Sequence, residues 1–446
     1  MEDQALITPD PRPTERYHMT NLKKGIKFGV LCLLILTQNL SFSLPLPFLT
    51  HEIIKTRKQK TIIGGILSGI FPLVGAVTSL VAGLVASKTT AKKTIFSSAV
   101  ALLLSSFVFL IPMSNNILFD GTVFVARVTQ GAALGLAEPV VVAVMGTLFP
   151  ESLGMVTAIY ELAFSASLSL GPLMGGFLYD AGGFSLPFVV TGSLQFLASI
   201  MAILIIPTKE VEIADNEVDE KFEHQQPGII KSIRLPIFLL GILLMSTISA
   251  DETFVGNFLG LYLKQRYHKG INVTGTVLMV TGIFYSIATL LFGYLTDRGL
   301  SRTLSVTIGL LVSITGSFLI DPSTILAAWP KYVYPGIMFG LLEVGSAMAQ
   351  VSILPLLVFH DREFDLERST EAMTGVYNTG FFLGAFLGPM LGSALLGSLS
   401  FSATFTIFAG LMLLIFVIVG VAHFKMGNLL SIKGKLTETE TLLPRS

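Results

Sequence analysis

Charge is scarce in this chain. Only 13% of its 446 residues are Asp, Glu, Lys or Arg, about half the share that a soluble domain carries. So few charges cannot cover a water-facing surface of this size, which excludes a soluble globular fold. Lys and Arg total 29, and so do Asp and Glu. The zero balance leaves no global basic surface, so no nucleic acid partner is expected. Cysteine is nearly absent. Cys32 stands alone, forms no internal disulfide, and reads as a small core residue in an apolar stretch. Catalytic signatures are missing as well. The chain has no P-loop, no Cys/His metal spacing and no nucleophile elbow, and its six histidines are scattered. An enzyme is not expected, nor a cofactor, nor a metal. Without a nucleotide site, any transport would draw on an ion gradient. The N-terminus lacks a cleavable-signal pattern.

Apolar residues are abundant instead, at 52%, with a mean hydropathy of +0.74. They come in blocks long enough to cross about 30 Å of hydrocarbon as helix. A barrel would need short alternating segments, so helices are the expected spanning form. Twelve spans are expected, at 28–49, 62–86, 94–112, 121–149, 153–179, 185–207, 235–263, 271–296, 304–320, 332–359, 371–397 and 401–423. The acidic, apolar-poor interval 208–234 reads as a flexible linker between halves 28–207 and 235–423. Tails of 1–27 and 424–446 complete the chain. If both tails are cytoplasmic, twenty Lys and Arg lie on that side and eight on the other, with Arg127 inside a span. The excess favours both termini inside. "KTRKQK" after span one runs against it. The Asn272-Val273-Thr274 sequon falls on the far side, a glycosylation candidate.

The halves repeat. "GLVASKTTAKK" (83–93) answers "FGYLTDRGLSR" (292–302), with Gly83 and Gly293, Lys88 and Arg298, and Lys92 and Arg302 sharing one offset of 210. Gly171-Pro172 of span five answers Gly388-Pro389 of span eleven at an offset of 217. Duplicated six-helix halves with a site between them are a transporter architecture. Ala163, Ser167, Gly171 and Gly175 stand four apart on span five, as do Gly380, Gly384, Gly388 and Gly392 on span eleven. Such faces allow close backbone approach, which can offset the roughly 1 kcal/mol helix penalty of each glycine. Pro172 and Pro389 each kink their helix. Two readings stand: rigid packing, or a smooth kinked helix that rocks.

Ionisable groups inside spans are functional candidates, because each costs several kcal/mol unless paired or hydrated. They are Arg127 and Glu138 in span four, Glu161 in span five, Asp251 and Glu252 in span seven, and Glu343 in span ten. One cation against five acids suits a cationic cargo, protons, or both. Arg127 is expected to neutralise Glu138 or Glu161, as a structural ion pair or in proton coupling. Burial disfavours a carboxylate and a nearby guanidinium favours it. A carboxyl whose partner comes and goes can therefore load and release a proton near neutral pH. Asp251 and Glu252 point about 100° apart on a helix, so only one need face a cavity. Tyr160, Phe164, Phe254 and Tyr377 are candidates to hold an ammonium by cation–π contact, and Gln350 and Asn378 are polar cavity candidates.

These motifs resemble a known family. "FGYLTDRGLSR" resembles the loop signature of the major facilitator superfamily, with Gly293, Asp297, Arg298 and Arg302 as its gating-loop residues. "RVTQGAALG" (127–135) resembles its fourth-helix Arg motif, and "LGPLMGG" resembles the fifth-helix motif of its proton-linked exporters. "PLPF" (45–48), "ELAFSASLSLGPLMGGFLYDAGGFSLPF" (161–188) and "GAFLGPMLGS" (384–393) are similar to the vesicular amine and polyamine transporter branch. The resemblance implies an all-α membrane protein with two pseudo-symmetric six-helix bundles. It also implies proton-driven antiport of amines into acidic compartments, with Glu161 matching a carboxylate of that branch. Asp251 or Glu252 falls near its acidic position in span seven, about one helical turn out of register.

Departures from the pattern carry information. Ser87 stands where the superfamily usually has Asp. Span one offers Asn39, Ser41 and Ser43 where monoamine members have an Asp, and the first far-side loop is short. Both shift the expected cargo towards polyamines or another organic cation. "EDQALI" (2–7) and "ETETLL" (438–443) resemble acidic-dileucine sorting signals, with Leu6, Ile7, Leu442 and Leu443 as the pairs that adaptors would read. They point to a vesicular, endosomal or lysosomal membrane. The leading expectation is a proton-coupled organic-cation antiporter. The alternatives are a broad drug exporter of the same fold and a non-transporting membrane sensor.

Overall fold

The computed structural model describes residues 21–86, 91–111, 115–148, 153–205, 236–321, 333–363 and 370–441. Among them, twelve helices are long and apolar enough to cross a membrane. They are α1 (Asn21–Ser43), α2 (Thr61–Ala86), α3 (Ala91–Phe107), α4 (Asn116–Leu148), α5 (Leu153–Gly182), α6 (Ser185–Ile205), α7 (Pro236–Tyr267), α8 (Ile271–Asp297), α9 (Arg302–Leu319), α10 (Val333–Glu363), α11 (Thr370–Leu396) and α12 (Phe401–Thr441). Local chemistry sets several ends. The Asn115 side chain accepts the Leu118 N–H at 2.8 Å at the start of α4, and Ser301 accepts that of Leu304 at 3.4 Å at the start of α9. Each satisfies an otherwise orphaned first-turn donor. The expected first span is corrected. The expected span reaches 49, but α1 stops at Ser43 because Pro45 and Pro47 lack the N–H that continues a helix. A turn, a short helical segment Leu49–His51 and a π-helical turn Glu52–Thr56 follow. The linker 208–234, Ser87, Lys88 and the four sorting-signal residues lie outside the described residues.

In the first half α1 packs on α5 and α6, and α2 on α4. In the second α7 packs on α11, and α9 on α10. The halves meet through two pairs, α5 with α8 and α2 with α11. The glycine stripes serve the packing within each half. Gly171 and Gly175 lie against Ser43, the last residue of α1, and Leu44 beyond it. Gly384 and Gly388 lie against the Ser246 and Ala250 carbonyls of α7, and Gly392 against the Phe254 ring. A methyl group at any of these positions would collide, so close backbone approach is what these glycines provide.

Other glycines join the halves. Gly65 of α2 sits against the Pro389 carbonyl and Ser393 of α11, and Gly275 of α8 sits against the Pro172 carbonyl of α5. Gly65 and Gly275 are related by the 210 offset, and the prolines by 217. The duplication thus reappears as a two-fold pair of contacts. It shows in the backbone too. Lys58 (φ 53°) and His268 (φ 54°) are the only non-glycine residues with positive φ among those described, and they also stand 210 apart. All these features gather at one end of the bundle, where the chain between α1 and α2 and the chain between α7 and α8 turn over.

The sequon opens α8. Thr274 is 1% exposed, and the Asn272 Cα lies where a Cβ on Gly176 would approach to 3.2 Å. The sequon's threonine is thus buried in the folded chain, while Asn272 is half-buried. Asn272→Gln should leave electrophoretic mobility unchanged, and a glycosidase should produce no shift in the parent chain. Gly275→Val should lower stability by the roughly 1–3 kcal/mol of an overpacked contact. Gly410→Ala, with nothing within 4 Å, should be neutral or stabilising. Thermal unfolding of the purified protein checks both.

Candidate substrate and proton site

Helices α7, α8 and α10 of the second half face α1 and α5 of the first across a cavity. Phe42, Leu46, Leu168 and Pro172 form the first half's wall. Glu252, Glu343, Tyr285, Thr253 and Thr281 supply polar lining from the second, beside Phe339 and Phe381. All the charge therefore stands on one side.

The geometry separates Asp251 from Glu252. Glu252 lines the cavity, and its Oε1 accepts the Gln350 Nε2–H at 2.7 Å. Gln350 is 2% exposed, and its Oε1 accepts the Tyr285 hydroxyl at 3.3 Å. Three helices, α8, α10 and α7, thus fix one carboxylate through a directed chain of donors. Asp251 points the other way, about 100° around α7. It is fully buried, and its Oδ1 accepts from the Ser317 hydroxyl of α9 at 3.1 Å. Its Oδ2 has no partner among the described residues. Glu343 lines the cavity from α10 and lies within electrostatic reach of both Glu252 and Asp251. None of the three acids has an ion-pair partner among the described residues.

For Arg127 the expected pairing with Glu138 is corrected, while the alternative with Glu161 lies outside the described residues. Arg127 is 2% exposed and forms no ion pair with Glu138. One terminal nitrogen donates to the Ser41 carbonyl at 2.7 Å and to Gln130 Oε1 at 3.2 Å. Its guanidinium lies 4.3 Å from the Phe71 ring centre, a cation–π contact that stands in for an anion. Nε has no partner among the described residues. Glu138 instead accepts from Asn39 Nδ2 at 3.5 Å. Asn39 and Ser43 of α1 are thus engaged by the first half, since Ser43 also donates to the Ser167 carbonyl at 2.7 Å. Glu161 lies in α5, but its side chain, like those of Tyr160 and Asp297, is outside the described residues.

The aromatic candidates divide. Phe164 of α5 meets Phe381 of α11 across the halves, with ring centres 6.1 Å apart. Phe254 is corrected: it stacks on Phe408 at 4.4 Å inside the second half's core and does not reach the cavity. Tyr377 packs against the α7–α9–α10 core, and Asn378 is exposed. Arg298 caps α8 with its guanidinium 4.6 Å from the Tyr294 ring centre; Arg302 begins α9. Sequence reasoning missed Tyr285, whose hydroxyl carries no signal apart from its neighbours. It also missed a cluster at the α1–α2 turn. There Tyr179 donates to Glu52 at 2.5 Å, and Arg57 lies 3.6 Å from Glu52 and 3.7 Å from the Phe119 ring centre.

Comparison with known proteins agrees with this architecture. Residues 28–363 match the Major Facilitator Superfamily. The human MFS-type transporter SLC18B1 is 27% identical over 335 residues, covering 73% of this chain and 70% of its own. Its rat counterpart is 24% identical over 58% of this chain and 55% of its own. An MFS-type transporter of Methanocaldococcus jannaschii, MJ1560, is 26% identical over 58% of this chain and 65% of its own. With twelve spans, duplicated halves and a cavity between them, the chain belongs to the Major Facilitator Superfamily, whose members are multi-pass membrane transporters rather than enzymes.

Proposed function

We propose that this transporter is a proton-coupled antiporter that loads an organic cation, a polyamine or related amine, into a vesicular or lysosomal compartment, with both termini cytoplasmic. One observation carries the reading: Glu252 and Glu343 line a chamber between the halves, Asp251 is buried next to Glu252 on the far side of α7, and none of the three has a cation beside it among the described residues. Unpaired carboxylates in a low-dielectric site are costly. They are relieved by a proton or by a positively charged cargo, and either excludes the other. That exclusion is antiport. Glu252 and Glu343, on the cavity wall, take the cargo's ammonium groups. Asp251, sealed behind α7, holds a proton only. Rocking of 28–207 against 235–423 exposes the chamber to alternate sides. Glu161 is retained as a proton-coupling residue on its position in α5, and dileucine-reading adaptors as sorting partners. The SLC18B1 relatives are named MFS-type transporters, which supports transport as such.

A broad drug exporter is the second reading. The wholly apolar wall of Phe42, Leu46, Leu168 and Pro172 favours it, because such a wall suits cations with large apolar bodies. Competition separates the two. Unlabelled polyamine displaces labelled polyamine under the first reading, and tetraphenylphosphonium competes as strongly under the second.

Proteoliposomes with an imposed pH gradient test the scheme. Glu252→Gln and Glu343→Gln should each lower uptake at least about tenfold, the effect of losing one desolvated charge pair. Asp251→Asn should keep cargo binding, read as thermal stabilisation by the amine, but abolish acceleration of uptake by the pH gradient. Gradient-driven uptake that survives all three substitutions would remove these acids from the mechanism.

A further inference from the structure

The chain between α1 and α2 carries a charged cluster that the antiport scheme does not use. It lies where the halves are latched together. The Thr50 hydroxyl donates to the Asn257 carbonyl of α7. The Pro47 carbonyl comes so close to Gly260 that a Cβ there would meet it at 2.5 Å, and Leu46 lies over Gly256. His51 follows directly. Both of its ring nitrogens are buried, and neither has a hydrogen-bond partner among the described residues. Lys264 of α7 and Lys55 act on the ring from the positive side, and Glu52 and Asp180 from the negative. Glu52 is already held by Tyr179 and Arg57.

We propose that His51 is a proton-operated latch, whose protonation releases the α1–α2 connection from α7 and opens the bundle at that end. A neutral imidazole can stay in this place. An imidazolium there would carry two N–H donors without acceptors and a positive charge facing Lys264. Hydration after opening removes both penalties.

The linkage has a definite sign. In the latched form burial first, and then Lys264, push the His51 pKa below its ordinary value near 6.5. The open, hydrated form binds the proton more tightly. Falling pH therefore shifts the population towards the open form, and rising pH restores the latch. If this end faces an acidic interior, the transporter opens where protons are plentiful, and the proton that opens it need not be the one exchanged. The latch goes beyond the antiport reading and does not depend on the cargo.

Thiol accessibility tests it without transport. In the full chain carrying Cys32→Ser, Leu46→Cys reports the chamber under the latch and Lys60→Cys the exposed turn. A charged thiosulfonate reagent is applied to the purified protein, and the rate at position 46 is divided by that at 60. The ratio should rise about three- to tenfold between pH 7.5 and 5.5. With His51→Gln it should be flat, and with Lys264→Gln the rise should shrink. With His51→Arg the ratio should be high at both pH values. A flat ratio in the chain with His51 intact overturns the proposal, as does an unchanged rise with His51→Gln. Should His51→Arg fail to give monodisperse protein, the Gln substitutions decide alone. Loss of gradient-driven uptake with an intact pH-dependent ratio would sink the antiport reading and leave the latch standing.

Discussion

Acid side chains buried around a low-dielectric chamber are the constraint on which this molecule depends. Burying a carboxylate without a partner is among the most expensive arrangements a fold can hold. Here Asp251, Glu252 and Glu343 crowd together on α7 and α10, and no described cation compensates them. Among the described residues, dipoles meet them: the Gln350 amide and the Ser346 hydroxyl at Glu252, and the Ser317 hydroxyl at Asp251. Those bonds orient the acids without neutralising them; under the proposed scheme a proton or a cationic cargo supplies the compensation.

The first half answers with apolar surface. Its own buried cation, Arg127, is turned away to the Ser41 carbonyl, Gln130 and the Phe71 ring. Two halves of common origin have therefore diverged in charge while keeping their contacts. Gly65 with Pro389 and Gly275 with Pro172 preserve the two-fold relation at the interface. Close packing of small residues is cheap to repeat, because it depends on backbone shape alone. Electrostatics need not repeat, since one charged wall is enough for a cation to bind.

Much of this was legible in the chain itself. Hydropathy alone located twelve spans, because a bilayer demands long apolar helices. Repeated glycines and prolines marked the duplicated helices, since those residues are rare mid-helix unless a backbone contact requires them. The acids stood out for the same reason, as costly residues in apolar surroundings. Partners were another matter. Arg127 and Glu138 lie on one helix eleven residues apart, yet each turns to α1 instead of to the other. Phe254 was indistinguishable in sequence from a cavity aromatic, and the α7 rotation placed it in the core. Nothing in the sequence singles out His51, because its neighbour Lys264 is more than two hundred residues away.

The sequence by itself determined the architecture and the inventory of charge. Both follow from the energy of placing residues in hydrocarbon, which depends on composition and local order. Only the tertiary structure decided that Glu252 faces the chamber and Asp251 is sealed from it. The two are adjacent in sequence, and a helix sends adjacent side chains about 100° apart. Which of them meets the cavity depends on how α7 is rotated against α9, α10 and α11, and that rotation is fixed by packing between distant segments.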